Sequence, residues 1–283
     1  MATGSGIFIL RGKKGVENRK HKSVFVNEKT LDGAWFKLLY EIYHHGRINK
    51  ITDGSYAGIN RLEFDYAAGT IQYPTTRPLA PIVPPGVPPV TTDGDIEKYF
   101  TNYIMDGHNL EGNEHYRYAT FISGGEYKLP KCTWREDPKY VSSPVKCTDG
   151  PLIMNVPNQV EWIINHYKKK GYGNNHCYIT VGYPESSFAY DIPYKDETDR
   201  QTSPCLRGID THIKDGVLHM SVVFRSWDLY GAFPENMGGI TMLGEYMADE
   251  LGISMGPLSF ASLKLHCYDF QIEAVKARLN IDE

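Results

Sequence analysis

Pro204-Cys205-Leu206-Arg207-Gly208-Ile209-Asp210 is followed by Phe224-Arg225-Ser226-Trp227-Asp228 and then by Pro234-Glu235-Asn236. One short span therefore holds a lone cysteine, an arginine–serine pair, a carboxylate and an amide. A thiol becomes a useful nucleophile when positive charge lowers its pKa, and Arg207 and Arg225 are near in sequence. A single cysteine is more often a small buried hydrophobe, so its neighbours have to carry the argument. Arg225-Ser226 offers a bidentate cation and a hydroxyl, which suit a phosphate monoester, although a solvated strand end tolerates the same pair. Asn236 presents a donor and an acceptor together, matching the N3 and O4 edge of a pyrimidine; alone it would read as a cap before Met237. His266 and Tyr268 stand two apart on a strand-like run, so they share a face and can both bond a sugar hydroxyl.

Working outward, 283 residues are enough for one large domain or two small ones, and 41% hydrophobic with 23% charged residues is an ordinary globular balance. Disorder and coiled coil are excluded on that ground. No apolar run has the length of a membrane span, and the apolar stretch near the start is too short for a secretory signal, so a cytoplasmic location is expected. The five cysteines are an odd set without a CxxC pair, which suggests neither a disulfide framework nor zinc. His176-Cys177 and His266-Cys267 are adjacent pairs, and adjacent strand residues point to opposite faces, so no metal site is expected. A net charge of −4 argues against a general nucleic-acid binder, despite the basic Arg11-Gly12-Lys13-Lys14 and Arg19-Lys20-His21-Lys22.

Residues 31–45 place Leu31, Trp35, Leu38, Leu39 and Ile42 at helical spacing, with Gly46 as a stop. Arg61 to Tyr73 reads as a hairpin broken at Ala68-Gly69-Thr70. The proline-dense segment 74–89 can be neither helix interior nor central strand and reads as an ordered crossing over a single domain spanning 1–283. Asp95 to Met105 reads as a helix, and 121–155 as an irregular insertion rich in Gly, Pro, Lys and Cys. Asn158 to Lys170 is a helix with Asn158 as its N-cap. Cys177–Val181, Val217–Phe224 and Leu258–Tyr268 read as strands, and Met237–Leu251 as a helix. Mixed helices and long antiparallel stretches predict the α+β class.

Taken together, Pro204-Cys205, Phe224–Asp228, Phe233-Pro234-Glu235-Asn236 and His266-Cys267-Tyr268 resemble the thymidylate synthase family, and the spacings between them match it. Their flanking residues, with Thr75–Leu79 and Asn174–Tyr178, look most like its archaeal-type branch. The resemblance is specific from about 158 to 279 and weaker before that. It implies a large bent mixed β-sheet flanked by helices and lying at a homodimer interface. It also implies a pyrimidine nucleoside monophosphate as substrate and a reduced pterin as one-carbon donor, either 5,10-methylene-tetrahydrofolate or a methanopterin-type analogue. By position, Cys205 is the nucleophile that adds to C6 of the base, so that C5 can take the carbon. Arg225 and Ser226 hold the phosphate, Asp228 resembles the pterin-contacting carboxylate, Asn236 reads the base, and His266 and Tyr268 resemble the pair at the sugar 3′-hydroxyl. The glutamate that orders the proton-transfer water is Glu63, with Glu41 as competitor. Tyr116 or Tyr118 resembles the tyrosine that assists loss of the C5 proton.

The chain departs from the resemblance at three places. Asn175-His176 stand where a cross-dimer arginine pair is expected, so either fewer cations hold the phosphate or Arg11 or Arg19 replaces them. Leu206 stands where a histidine follows the cysteine. The chain stops at Glu283, close behind Tyr268, without the long tail that closes over the folate. Access of water decides whether C5 ends with a methyl or a hydroxymethyl group. Methylation of dUMP is the first expectation and 5-hydroxymethylation of a uridylate or cytidylate the second. An inactive nucleotide- or RNA-binding homologue is the third. Asn236 favours uracil, because cytosine reverses donor and acceptor at that edge.

Overall fold

Thr30 accepts a hydrogen bond from the Gly33 amide and starts α1 (Leu31–His45), which buries Leu31, Trp35, Leu38, Leu39 and Ile42. The computed structural model describes residues 20–54, 56–106, 116–134, 144–191 and 202–281. Asn158 likewise caps α4 (Gln159–Lys170), and Gly171 follows its three terminal lysines. These two helices form where their apolar spacing and caps predict.

Six strands make a mixed sheet: β1 (Ser23–Glu28), β4 (Tyr66–Ile71), β7 (Tyr178–Thr180), β8 (Leu206–Lys214), β9 (Val217–Phe224) and β11 (Ser254–Ser262). Their spatial order is β1-β4-β11-β9-β8-β7, with β1 parallel to β4 and β11 parallel to β9. Strict alternation puts Leu218, Met220, Val222 and Phe224 into the core, while His219, Ser221 and Val223 face outward half-buried. A second sheet runs in the order β10 (Trp227–Asp228), β12 (Leu265–Tyr268), β3 (Asn60–Phe64) and β2 (Arg47–Lys50). The helices α1, α2 (Asp93–Tyr99), α4, α5 (Phe233–Leu251) and α6 (Ile272–Leu279) complete the mixed α+β fold. No helix among the described residues is long and apolar enough to cross a membrane.

Several expectations need correcting. Arg61–Tyr73 is not a hairpin: β3 and β4 are separated only by Asp65 and belong to different sheets. Leu258–Tyr268 likewise divides into β11 and β12, one in each sheet. The helix expected over 95–105 ends as α2 at Tyr99 and continues as a π-helical turn over Phe100–Met105. The segment 121–155, expected to be irregular, contains the end of α3 (Tyr118–Ile122) and an antiparallel ribbon of β5 (Gly125–Trp134) and β6 (Pro144–Val156). Helix α5 starts four residues before Met237, with Pro234 in its first turn, where a missing N–H costs nothing. Along 74–89 no helix or strand forms, and Leu79 and Ala80 are buried.

Candidate active site

An Asp-Gly turn sets the first half of the site. Asp215 and Gly216 both have positive φ, 53° and 73°, as the two-residue turn between paired strands requires. This turn fixes the register of β8 and β9 from Lys214↔Val217 down to Leu206↔Phe224. The residues just beyond, Cys205 and Arg225, therefore meet, and the Arg225 amide donates to the Cys205 carbonyl at 2.9 Å. The Arg225 guanidinium donates through Nε to the Pro204 carbonyl at 3.0 Å and through Nη2 to the Ser203 carbonyl and the Tyr190 hydroxyl. It thus holds the loop that carries the thiol. Burial pushes the Cys205 thiol up, and Arg225 and then Arg207 pull it back only in part. The expected lowering by neighbouring arginines is present but does not win in the free protein.

The second half lies where the chain changes sheet. Beyond Ser226, Trp227-Asp228 joins β12, with Asp228 in register with His266, and His266 in register with Glu63 of β3. Two rows further, on the same face, Tyr268 opposes Arg61. Register partners share a face, so Asp228, His266 and Glu63 stand side by side. Both oxygens of Asp228 accept from Gln271 Nε2, and Oδ1 also accepts from the Tyr230 and Gly231 amides. Burial raises the Asp228 carboxyl, and these donors oppose the rise. His266 is buried, and Nδ1 lies 3.1 Å from the Lys264 carbonyl. A carbonyl only accepts, so Nδ1 carries the proton and Nε2 is left as an acceptor. Nε2 has no hydrogen-bond partner among the described residues. Burial lowers the imidazole pKa to about 4, which keeps it neutral. Glu63 is buried and accepts from Arg61 Nε at 2.8 Å. Glu41 pairs with Lys37 on the surface of α1, away from this face.

The first turn of α5 closes the cleft. Asn236 Oδ1 accepts from Trp227 Nε1 at 2.9 Å, and Nδ2 donates to the Tyr99 hydroxyl at 2.8 Å. Glu235 accepts from Thr91 Oγ1 at 3.1 Å, and burial raises its carboxyl. Tyr118 accepts from the Leu206 amide at 3.3 Å, which sets it beside Cys205. The resulting cleft has a volume of about 390 Å³.

Cys205, Ser226, Asp228, Asn236, His266 and Tyr268 all line this cleft, as does Tyr118. Arg225 does not line the cleft but holds the Ser203 and Pro204 carbonyls of the segment that carries Cys205. Glu63 and Tyr116 do not line the cleft; Tyr116 reaches the Ser203 carbonyl only at 3.5 Å. Arg11 and Arg19 lie outside the described residues. Six lining residues, Tyr99, Tyr103, Trp227, Gly231, Ala232 and Glu235, carried no expected role. Trp227 and Glu235 sat inside the quoted motifs and were legible only as spacers. Tyr99 and Tyr103 come from a helix whose contact with α5 has no local signal. No group of three or more His, Cys, Asp or Glu side chains among the described residues could hold a metal ion.

Residues 157–283 match the family model described as Thymidylate synthase. A protein of Methanosarcina mazei named "Putative thymidylate synthase" is 24% identical over 265 residues, covering 92% of this chain and 97% of that one. One of the same name from Methanosarcina acetivorans is 24% identical over 255 residues, 89% and 92% of the two chains. A thymidylate synthase of Corynebacterium aurimucosum is 31% identical over 77 residues, 27% of this chain and 29% of its own.

Proposed function

With a thymidylate synthase domain over residues 157–283, the chain belongs to the archaeal-type branch of that enzyme family, and we propose that it methylates C5 of dUMP. The observation that carries this reading is the convergence on one cleft of a thiol, a pyrimidine-matching amide and the unpartnered acceptor of His266. A sugar hydroxyl is the donor that His266 Nε2 lacks, and Tyr268 shares its cleft. Cys205 Sγ adds to C6, which makes C5 the nucleophile, and Asn236 takes up charge at O4 as it develops. Ser226 and the Nη1 end of Arg225, which has no hydrogen bond among the described residues, bind the phosphate.

The carboxylate for proton transfer is Glu235, which lines the cleft beside Asn236, whereas Glu63 acts through Arg61 as a positioning group on the sheet face of His266. Burial raises the Glu235 carboxyl, which is the direction a proton-transfer group requires. Tyr118 rather than Tyr116 assists loss of the C5 proton, on the strength of its contact with the Cys205–Leu206 link. A reduced pterin such as 5,10-methylene-tetrahydrofolate supplies the one-carbon unit. Asp228 fits it: the carboxylate is immobilised, yet Oδ2 accepts only from Gln271 Nε2 among the described residues and retains a lone pair for a pterin N–H. Two copies pair through the outward face of the six-stranded sheet, where Phe25 is 71% and Tyr178 44% exposed.

Hydroxymethylation is the second reading, favoured by one observation: Tyr56 and Phe270, which flank Tyr268 at the rim, are 43% and 58% exposed. Water reaching the new methylene would replace hydride. Mass spectrometry of products from dUMP, UMP, dCMP and CMP with methylene-tetrahydrofolate separates these outcomes, and dTMP from dUMP is expected. Absence of product together with no tritium release from C5 in all four would leave the enzyme reading without support.

A further inference from the structure

We propose that Trp227 and Tyr99 determine the base specificity of the cleft by locking the Asn236 carboxamide in one of its two orientations. The inference rests on the nucleotide reading of the cleft given above. A free asparagine cannot choose between uracil and cytosine, because half a turn about its last bond exchanges acceptor and donor. The indole N–H of Trp227 is a donor and nothing else, so the atom 2.9 Å away must be Oδ1. Nδ2 then faces the Tyr99 hydroxyl at 2.8 Å, which accepts from it. Each end of the amide keeps one valence: a lone pair on Oδ1 and an N–H on Nδ2. That pair complements the N3–H and O4 of uracil and mismatches the N3 and N4–H of cytosine. Accepting cytosine would require the amide to turn, placing N–H against N–H at Trp227 and losing that bond outright, while the Tyr99 hydroxyl would have to reverse from acceptor to donor, in a site where Asn236 is 8% exposed.

Both locking groups are themselves held. The Trp227 ring stacks on Phe224 at 3.8 Å between centroids and 5° between planes, and Phe233 lies at 4.7 Å. The Tyr99 ring stacks on Tyr103 at 5.2 Å. Tyr99 also lies against Gly239 of α5, where a Cβ would come within 2.6 Å of its Cδ1. Neither ring can swing away to let the amide flip. Trp227 and Tyr99 are thus positioning residues, and Asn236 is the group that touches the base.

Calorimetric binding of dUMP and dCMP to the full chain, as wild type, Trp227→Phe, Tyr99→Phe and the double variant, tests this. Tyr99→Phe removes only the hydroxyl, and Trp227→Phe keeps an aromatic ring beside Phe224 while removing the indole N–H together with part of the ring. The wild type should prefer dUMP, Trp227→Phe should lower the dUMP:dCMP ratio more than Tyr99→Phe does, and the double variant should lower it by about tenfold or more. A change in ratio, rather than in both affinities together, is what a merely structural role would not produce. A double variant that folds and keeps the full wild-type ratio overturns the lock and leaves the nucleotide reading standing. If Trp227→Phe fails to fold, Trp227→Met, which fills the apolar slot without an N–H, takes its place, and an unchanged ratio there overturns the proposal. Wild-type protein that binds neither nucleotide removes both the lock and the reading beneath it.

Discussion

The Cys205 thiol is set by two opposed influences, with burial raising its pKa and the guanidiniums of Arg225 and Arg207 lowering it. In the free protein, Cys205-specific alkylation, measured against a Cys205→Ser control, should therefore have its pH midpoint above that of an exposed cysteine. Arg225→Gln should move that midpoint higher still; a fall would show that Arg225 does not face the thiol. His266 carries a second pH signature. Its pKa is 6.5 unfolded and about 4 folded, so between those values the unfolded chain holds a proton that the native protein excludes. Stability is then lost as pH falls through that window, by roughly 3 kcal/mol in all. The melting temperature should drop on acidification from pH 6.5 toward 4, and His266→Gln should flatten that dependence. An equally steep profile in the variant would assign the effect elsewhere. Asn236→Asp should shift nucleotide preference toward cytosine, because a protonated carboxyl can donate to N3 while its other oxygen accepts from N4. Unchanged preference would mean that Asn236 does not contact the base.

Among the elements, the close approach of α2 to α5 matters most to the cleft. Thr92 and Asp95 cap each other's backbone amides at the start of α2, and the helix brings Tyr99 against Gly239. Gly239→Ala poses two effects of opposite sign. Helix propensity favours alanine by about 1 kcal/mol, while overpacking a filled contact costs about 1 to 3 kcal/mol. With the new Cβ only 2.6 Å from the Tyr99 ring, overpacking should win. The expected result is a lower urea midpoint and a weaker preference for dUMP; a stabilised variant would show that Tyr99 yields easily. The β8–β9 hairpin does comparable work on the other side of the cleft, since its Asp-Gly turn fixes which residues meet at the far end. Lys214-Asp215-Gly216-Val217 carries its hairpin signal within four residues, although from the sequence only Val217–Phe224 is read as a strand and 206–214 is unassigned. Helices α1 and α4 were legible for a similar reason: cap, apolar spacing and stop lie within one segment. The division of 60–71 and of 254–268 between two sheets was not, because a strand's sheet is chosen by its partners, and periodicity is the same in either.

Across the whole molecule, the outward face of the six-stranded sheet combines Phe25, Tyr66, Ala68, Ser259, Ala261 and Val223, all half-buried or exposed. A face so rich in small and apolar groups suits pairing with a second copy. Sedimentation should find the wild type dimeric and Phe25→Lys shifted toward monomer. A monomeric wild type would overturn the arrangement. The order of chemical groups along the chain was determined by sequence alone: a thiol, then a cation and hydroxyl, a carboxylate, an amide, and a histidine–tyrosine pair at spacings that identify the family. Tertiary structure alone decided that Glu235 and Tyr118, rather than Glu63 and Tyr116, line the cleft. It also decided the orientation of the Asn236 amide, because one of its two partners, Tyr99, is 137 residues away. Residue type supplies hydrogen-bonding capacity, but direction comes from the neighbours that use up part of it, and packing chooses those neighbours.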